Sequence, residues 1–193
     1  MKQTKESALI VLNLQNQFTN ERGQVYYDTT GRAMGKILKG ISALRERGVL
    51  IVYANSETTG KEYSLDDEVI KRRDPVPVQN SWEAQMDERT EVLEGDLVIT
   101  HYASSAFFGT DLEELLKQRG IKNIIVSGVK TNYDVRATAT DAMWRQFQAY
   151  VASDMVAADT YELSWLHLEE LTKYTAKAIS LLEIIDRIEE GKL

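Results

Sequence analysis

LEELLKQRGIKNIIVSGV, residues 112–129, decides the fold. Leu112, Leu115 and Leu116 form an apolar stripe at helical spacing. Gly120 stands where that helix would stop, because glycine takes the left-handed backbone of a helix C-terminus without steric cost. The run IKNIIVSGV (121–129) that follows is apolar and β-branched, the composition of a strand buried on both faces. Helix, glycine and buried strand are the pieces of a parallel sheet with helical crossovers. The same pieces recur in both directions. The runs ALIVLNL (8–14), VLIVYAN (49–55), LVIT (97–100), QAYVASDM (148–155) and KAISL (177–181) read as further strands. Met34, Ile37, Leu38, Ile41 and Leu44 make a second helical stripe closed by Gly48. Val135, Ala139, Ala142, Met143 and Gln146 mark a third helix, apolar but for its last turn. The chain reads as α/β, a parallel sheet with right-handed crossovers.

One interval breaks the rhythm. Residues 56–95 carry no strong strand, hold both prolines (Pro75 and Pro77), and predict a helix near SWEAQMDERTEV (81–92). An excursion of that length is the mark of a functional loop or lid. No repeat, low-complexity tract or break in composition divides the chain, so residues 1–193 read as a single domain, with a charged tail, DRIEEGKL, expected to fray.

Composition narrows the partners. Thirty acidic against 23 basic residues leave a net charge of -7, which repels phosphate backbones and anionic membranes and argues against a nucleic-acid partner. No apolar run has the length of a membrane span, and MKQTKES lacks the apolar segment of a secretory signal, so a cytoplasmic location is expected. There is no cysteine, which excludes disulfides, thiolate metal sites and thiol nucleophiles.

In an open parallel sheet, ligands bind beyond the carboxyl ends of the strands, where the winding reverses. The polar residues delivered to that rim are Asn13, Gln15 and Asn16 after the first strand, and Asn55 to Glu57 after the second. His101 to Ser105 follow the third, and Lys130 to Asp134 the fourth.

Three stretches point to a family: LIVLNLQNQF, the long run from SWEAQMDERTEV through SAFFGTDLEELL and GVKTNYDV, and HLEELTKYTAKAISLLEII. Together they resemble the isochorismatase-like hydrolases, also called the cysteine hydrolase superfamily, over nearly the whole chain and with the right spacings. The phrase SAFFGTDLEELL followed by a strand and GVxTN is the specific part. The resemblance implies a six-stranded parallel sheet with helices on both faces, Rossmann-like, assembled as a homo-oligomer (dimer or tetramer) that hydrolyses small molecules.

The usual member of this family has an Asp at the end of the first strand, a Lys before the SAF phrase and a Cys after GVxTN. The Cys attacks, the Asp moves protons, and backbone N–H groups around a cis peptide in GVxT hold the oxyanion. Those positions here are Asn13, His101 and Asp134, and all three have changed. Thiolate attack is impossible. A carboxylate at Asp134 sits near a helix N-terminus, where the dipole is expected to stabilise its anion and weaken it as nucleophile and acid. Asn13 exchanges no protons near neutral pH. Other members cleave a vinyl ether without the Cys by protonation from the Asp, a residue this chain lacks. The remaining proton donor with a suitable intrinsic pKa, about 6.5, is His101, with Asp134 as its expected orienting partner.

Two readings stay open. In the first, the protein is a hydrolase with an altered triad acting on a small polar or carboxylated substrate (vinyl ether, amide or ester). His101 then moves the proton, Asp134 orients it, and Asn13 with the Val129–Thr131 backbone binds the developing charge. Lys130 holds an anionic group or reaches solvent, and Phe18, Trp82 and Tyr133, with Tyr102 and Phe107, line the pocket or fill the core. In the second, a catalytically silent homologue binds a small molecule or an oligomeric partner. Ser105 belongs to a phrase that serves packing in the family, and Ser104 has no evident base. Nicotinamidase-like members bind zinc through an Asp and histidines after the second strand. The corresponding NSETTGKEYSLDDE holds no histidine and His167 lies on a later helix, so no metal or other cofactor is expected. Glu57, Asp66 and Asp67 read as a solvated loop. No glycine fingerprint for a dinucleotide follows the first strand.

Overall fold

The computed structural model describes residues 6–61 and 74–193. Six strands form one sheet: β1 (Ser7–Leu12), β2 (Leu50–Ser56), β3 (Leu97–His101), β4 (Asn123–Val129), β5 (Gln148–Ala157) and β6 (Lys177–Ile179). Their order is β3-β2-β1-β4-β5-β6 and every pairing is parallel. The helices are α1 (Asn16–Thr19), α2 (Asp28–Arg45), α3 (Leu112–Gln118), α4 (Arg136–Trp144), α5 (Tyr161–Tyr174) and α6 (Leu181–Glu189).

Alternation along β1 sorts the core into two layers, because successive strand side chains point to opposite faces. Ala8, Ile10 and Leu12 meet α3, α4 and α5 through Leu112, Leu116, Ala139, Ala142 and Leu171. Leu9 and Val11 meet α2 and α6 through Met34, Ile37, Ile41, Leu44, Ile184 and Ile188. Burial on both faces explains why β1 and β4 are predominantly apolar and do not alternate.

The structure departs from the sequence reading in two places. No helix forms over residues 81–92; the chain there is a series of turns. Its backbone groups bond across to the first strand's rim instead: Asn16 N–H donates to Gln85 O (2.9 Å), Gln17 N–H to Glu83 O (3.1 Å), and Asp87 N–H to Leu14 O (2.9 Å). Tertiary partners thus replace the helical ladder. The third helix starts at Arg136 and not at Val135, because residues 131–135 form a wider π turn. Asp66 and Asp67 lie outside the described residues.

Candidate functional site

The sheet reverses its winding between β1 and β4, and the rim residues after these strands meet there. Gly128 makes that meeting possible. It has φ 100°, and a Cβ at this position would lie 2.1 Å from the Leu12 carbonyl oxygen, so only a hydrogen fits. One residue further along β1's rim, Asn13 adopts φ 57°, a left-handed conformation that Asn and Asp tolerate better than most side chains.

Asn13 is fully buried; its Nδ2 donates to Val129 O (2.8 Å), and its Oδ1 has no hydrogen-bond partner. The Val129–Lys130 peptide is cis. Asp134, buried in the π turn that follows, faces the Lys130 N–H at 3.5 Å and sits against the Asn13 side chain. Burial pushes its carboxyl up to about 7, against the opposing pull of the Lys130 N–H, the Asn13 amide and the Lys130 charge. The expectation that a helix dipole would keep this group a firm anion is therefore overturned: loss of water outweighs the dipole.

His101 ends β3 and is 1% exposed. Its Nδ1 lies 2.6 Å from Ala103 O, which makes Nδ1 the protonated nitrogen, while Nε2 is buried with no hydrogen-bond partner, on the side of the Ala54 carbonyl. Burial lowers its pKa despite the two carbonyls, so the ring is neutral at pH 7. The hydrogen bond expected to orient it from Asp134 comes instead from Ala103. The small cavity it lines, about 100 Å³, is also lined by Glu57, whose carboxyl pKa is pushed up by burial. Ala54 joins the two halves of the rim: its carbonyl accepts the Asn13 N–H (2.9 Å) and faces His101.

Lys130 does not reach solvent. Its side chain is 8% exposed, its Nζ is paired with Asp74 and with Asp159 (2.6 Å), and it lies 4.6 Å from the Tyr27 ring centre. Burial opposes its charge, but Asp159 and Asp74 hold its pKa above the ordinary value. An ammonium already matched by two carboxylates has little attraction left for an anionic substrate. Neither carboxylate carried a signal in the sequence, since Asp74 and Asp159 lie 56 and 29 positions away.

The other candidates separate. Thr131 Oγ1 bonds Ser164 Oγ at 2.8 Å. Phe18 packs with Val25, Val129 and Ala157 in a small core cluster, Trp82 meets the Arg22 guanidinium at 4.9 Å, and Phe107 stacks on Phe147. Tyr133 is half exposed and lines a cavity of about 540 Å³ beside the Ala103–Phe108 loop. Ser105 donates to Asp141 (2.6 Å) and accepts from Phe107 N–H, a turn-stabilising role. Among the described residues, no cluster of three His, Asp or Glu side chains could hold a metal ion, and no helix is long and apolar enough to cross a membrane.

Comparison with known proteins gives the relatives of this architecture. The Isochorismatase domain family matches residues 7–183. The ureidoacrylate amidohydrolase RutB of Cronobacter turicensis is 27% identical over 173 residues, covering 78% of this chain and 74% of that protein. A cysteine hydrolase from Pseudomonas syringae superposes with a TM-score of 0.88 at 22% identity, over 97% of this chain and 94% of its own. A pyrazinamidase of Pyrococcus horikoshii, solved with zinc, superposes with a TM-score of 0.77 at 29% identity, over 91% and 99%.

Proposed function

The chain belongs to the isochorismatase-like hydrolase superfamily, and from that membership and the chemistry of its rim we propose that it hydrolyses a small polar or carboxylated molecule by acid/base catalysis without a covalent thiol intermediate. The observation that carries this reading is the Asp134 carboxyl, buried against Asn13 at the place the family resemblance gives the nucleophile, with its pKa pushed up by burial to about 7. A carboxyl half-protonated at neutral pH donates a proton to a departing oxygen or nitrogen, or to the carbon of a vinyl ether, and takes one back from the attacking water. Asn13, whose amide is taken up by the Val129 carbonyl and the Asp134 carboxyl, positions that carboxyl, and the Val129–Thr131 turn borders the space in which charge develops. The neutral His101 ring, enclosed between Ala103 and Ala54, shapes this side of the rim and does not act as the proton donor. Lys130 fixes the surrounding segments and does not bind substrate.

Vinyl ethers, amides and esters of small carboxylic acids, incubated with wild type and Asp134→Asn, test the reading. Turnover is expected to drop by a factor on the order of a hundred or more in the variant. In the wild type kcat/KM should change through a pKa near 7; a flat profile between about pH 5 and 8, or an active Asp134→Asn, refutes it.

A second reading, binding without turnover, is favoured by one observation: the cavities of 490 to 590 Å³ are lined by neither Asn13 nor Asp134. Thermal stabilisation by a small molecule that is recovered unchanged supports it. Under either reading we propose a homo-oligomer, since Tyr161, Trp165 and Leu166 on α5 are each more than half exposed.

A further inference from the structure

The cavity of about 540 Å³ between the Ala103–Phe108 loop and the outer face of α4 has no part in the acid/base scheme. Its size is that of a small-molecule site. Phe108 and Tyr133 are 54% and 46% exposed on its wall, and the Tyr102 ring holds Phe108 edge-on at 5.9 Å. Arg136, Ala137, Thr140 and Asp141 form one helical stripe, so a guanidinium stands at one end of the floor and a carboxylate at the other. The two ends are not equally free. Asp141 accepts the Ser105 hydroxyl at 2.6 Å and is paired with Arg145 at 3.3 Å, whereas among the described residues the ion pair of Arg136 is a long, half-exposed contact with Glu170, at 3.6 Å. Asn132 also lines the cavity, and its Oδ1 is buried without a hydrogen-bond partner. That oxygen is closed to solvent in this structure, and a rotation of the Asn132 side chain into the cavity would let a ligand N–H or O–H satisfy it.

We propose that this cavity binds a small planar organic anion carrying one hydrogen-bond donor. Its carboxylate takes the two-pronged contact that a guanidinium offers, its ring lies against Phe108 and Tyr133, and its donor meets Asn132 Oδ1. The inference stands apart from the hydrolase reading, because it concerns binding at residues that move no proton.

Three probes isolate the three contacts in a calorimetric or NMR titration of the full-length protein. Indole-3-carboxylate has all the features, indole-3-carboxamide lacks the charge, and 1-methylindole-3-carboxylate lacks the donor. The first is expected to bind saturably below about 1 mM, the carboxamide about tenfold more weakly, and the methylated acid severalfold more weakly. Arg136→Gln should weaken indole-3-carboxylate about tenfold, with Arg136→Lys in between because it keeps the charge and loses the fork. Saturable binding with this order in probes and variants supports the proposal. No saturation up to about 5 mM, or equal affinity for acid and carboxamide, overturns it, as does binding unchanged by Arg136→Gln. Turnover plays no part in the readout, so a catalytically silent protein passes or fails it equally well.

Discussion

At Asp134 a single carboxyl links stability to chemistry. Its ordinary pKa is 3.8 and its folded value about 7, so the fold prefers the protonated form. Below the unfolded value both states are protonated and nothing is lost. As pH rises from about 4 to 7 the unfolded chain ionises first, and stability falls, reaching a full penalty on the order of 4 kcal/mol above 7. Asp134→Asn removes that titration. Urea unfolding at several pH values should show the variant gaining on wild type between pH 4 and 7 and holding a lead of a few kcal/mol above 7; curves that run parallel across this window would contradict the assignment. Activity is expected to move the other way, as it does when a functional group is kept in an unfavourable environment. The presence of Asn13, His101 and Asp134 at the rim and the absence of cysteine were legible from residue identity alone. The protonation state was not, because it depends on the water excluded by β4, the π turn and the Asn13 side chain, and no local pattern encodes that.

Among the elements, the strands and the helices α2, α3 and α4 declared themselves through apolar runs and periodicity, whereas α6 did not: the tail expected to fray continues as helix to Glu189, with Ile188 and Leu193 buried. The excursion did not, because its order comes from side chains elsewhere. Gln15 is the main example: its Nε2 donates to Ser56 O (3.0 Å) and Ala84 O (2.8 Å), and its Oε1 accepts from Ser56 N–H (2.8 Å). One amide thereby joins the rim of β1, the end of β2 and the excursion. Gln15→Leu leaves three buried backbone groups unpaired, and a destabilisation of roughly 2 to 4 kcal/mol is expected. Limited proteolysis should cut the variant first within residues 74–96. Equal cleavage of variant and wild type there would show that the excursion is held by other contacts. The neighbouring Asn16 amide, donating to Trp82 O at 2.9 Å, is the nearest candidate.

The whole molecule presents apolar surface that its own core does not use. Trp165 is 61% exposed and stands beside Tyr161, while the net charge of -7 opposes indiscriminate association. Sedimentation velocity is expected to show a dimer or tetramer, and Trp165→Glu to shift it toward monomer; a wild-type monomer at all concentrations would remove α5 from the interface. Composition told of the charge and the sequence told of the tryptophan, but which side of α5 stays uncovered required the packed structure.

The Lys130 ammonium supplies an internal gauge of closure. Segments around residues 27, 74, 130 and 159 converge on it, and its side chain is 8% exposed against 55%, 67% and 64% for Lys117, Lys122 and Lys192. An amine-acylating reagent followed by mass spectrometry will therefore label those three quickly and leave Lys130 until Asp74 and Asp159 let go. The labelling rate at that one position then reads, in solution and without any substrate, how often the molecule opens its rim.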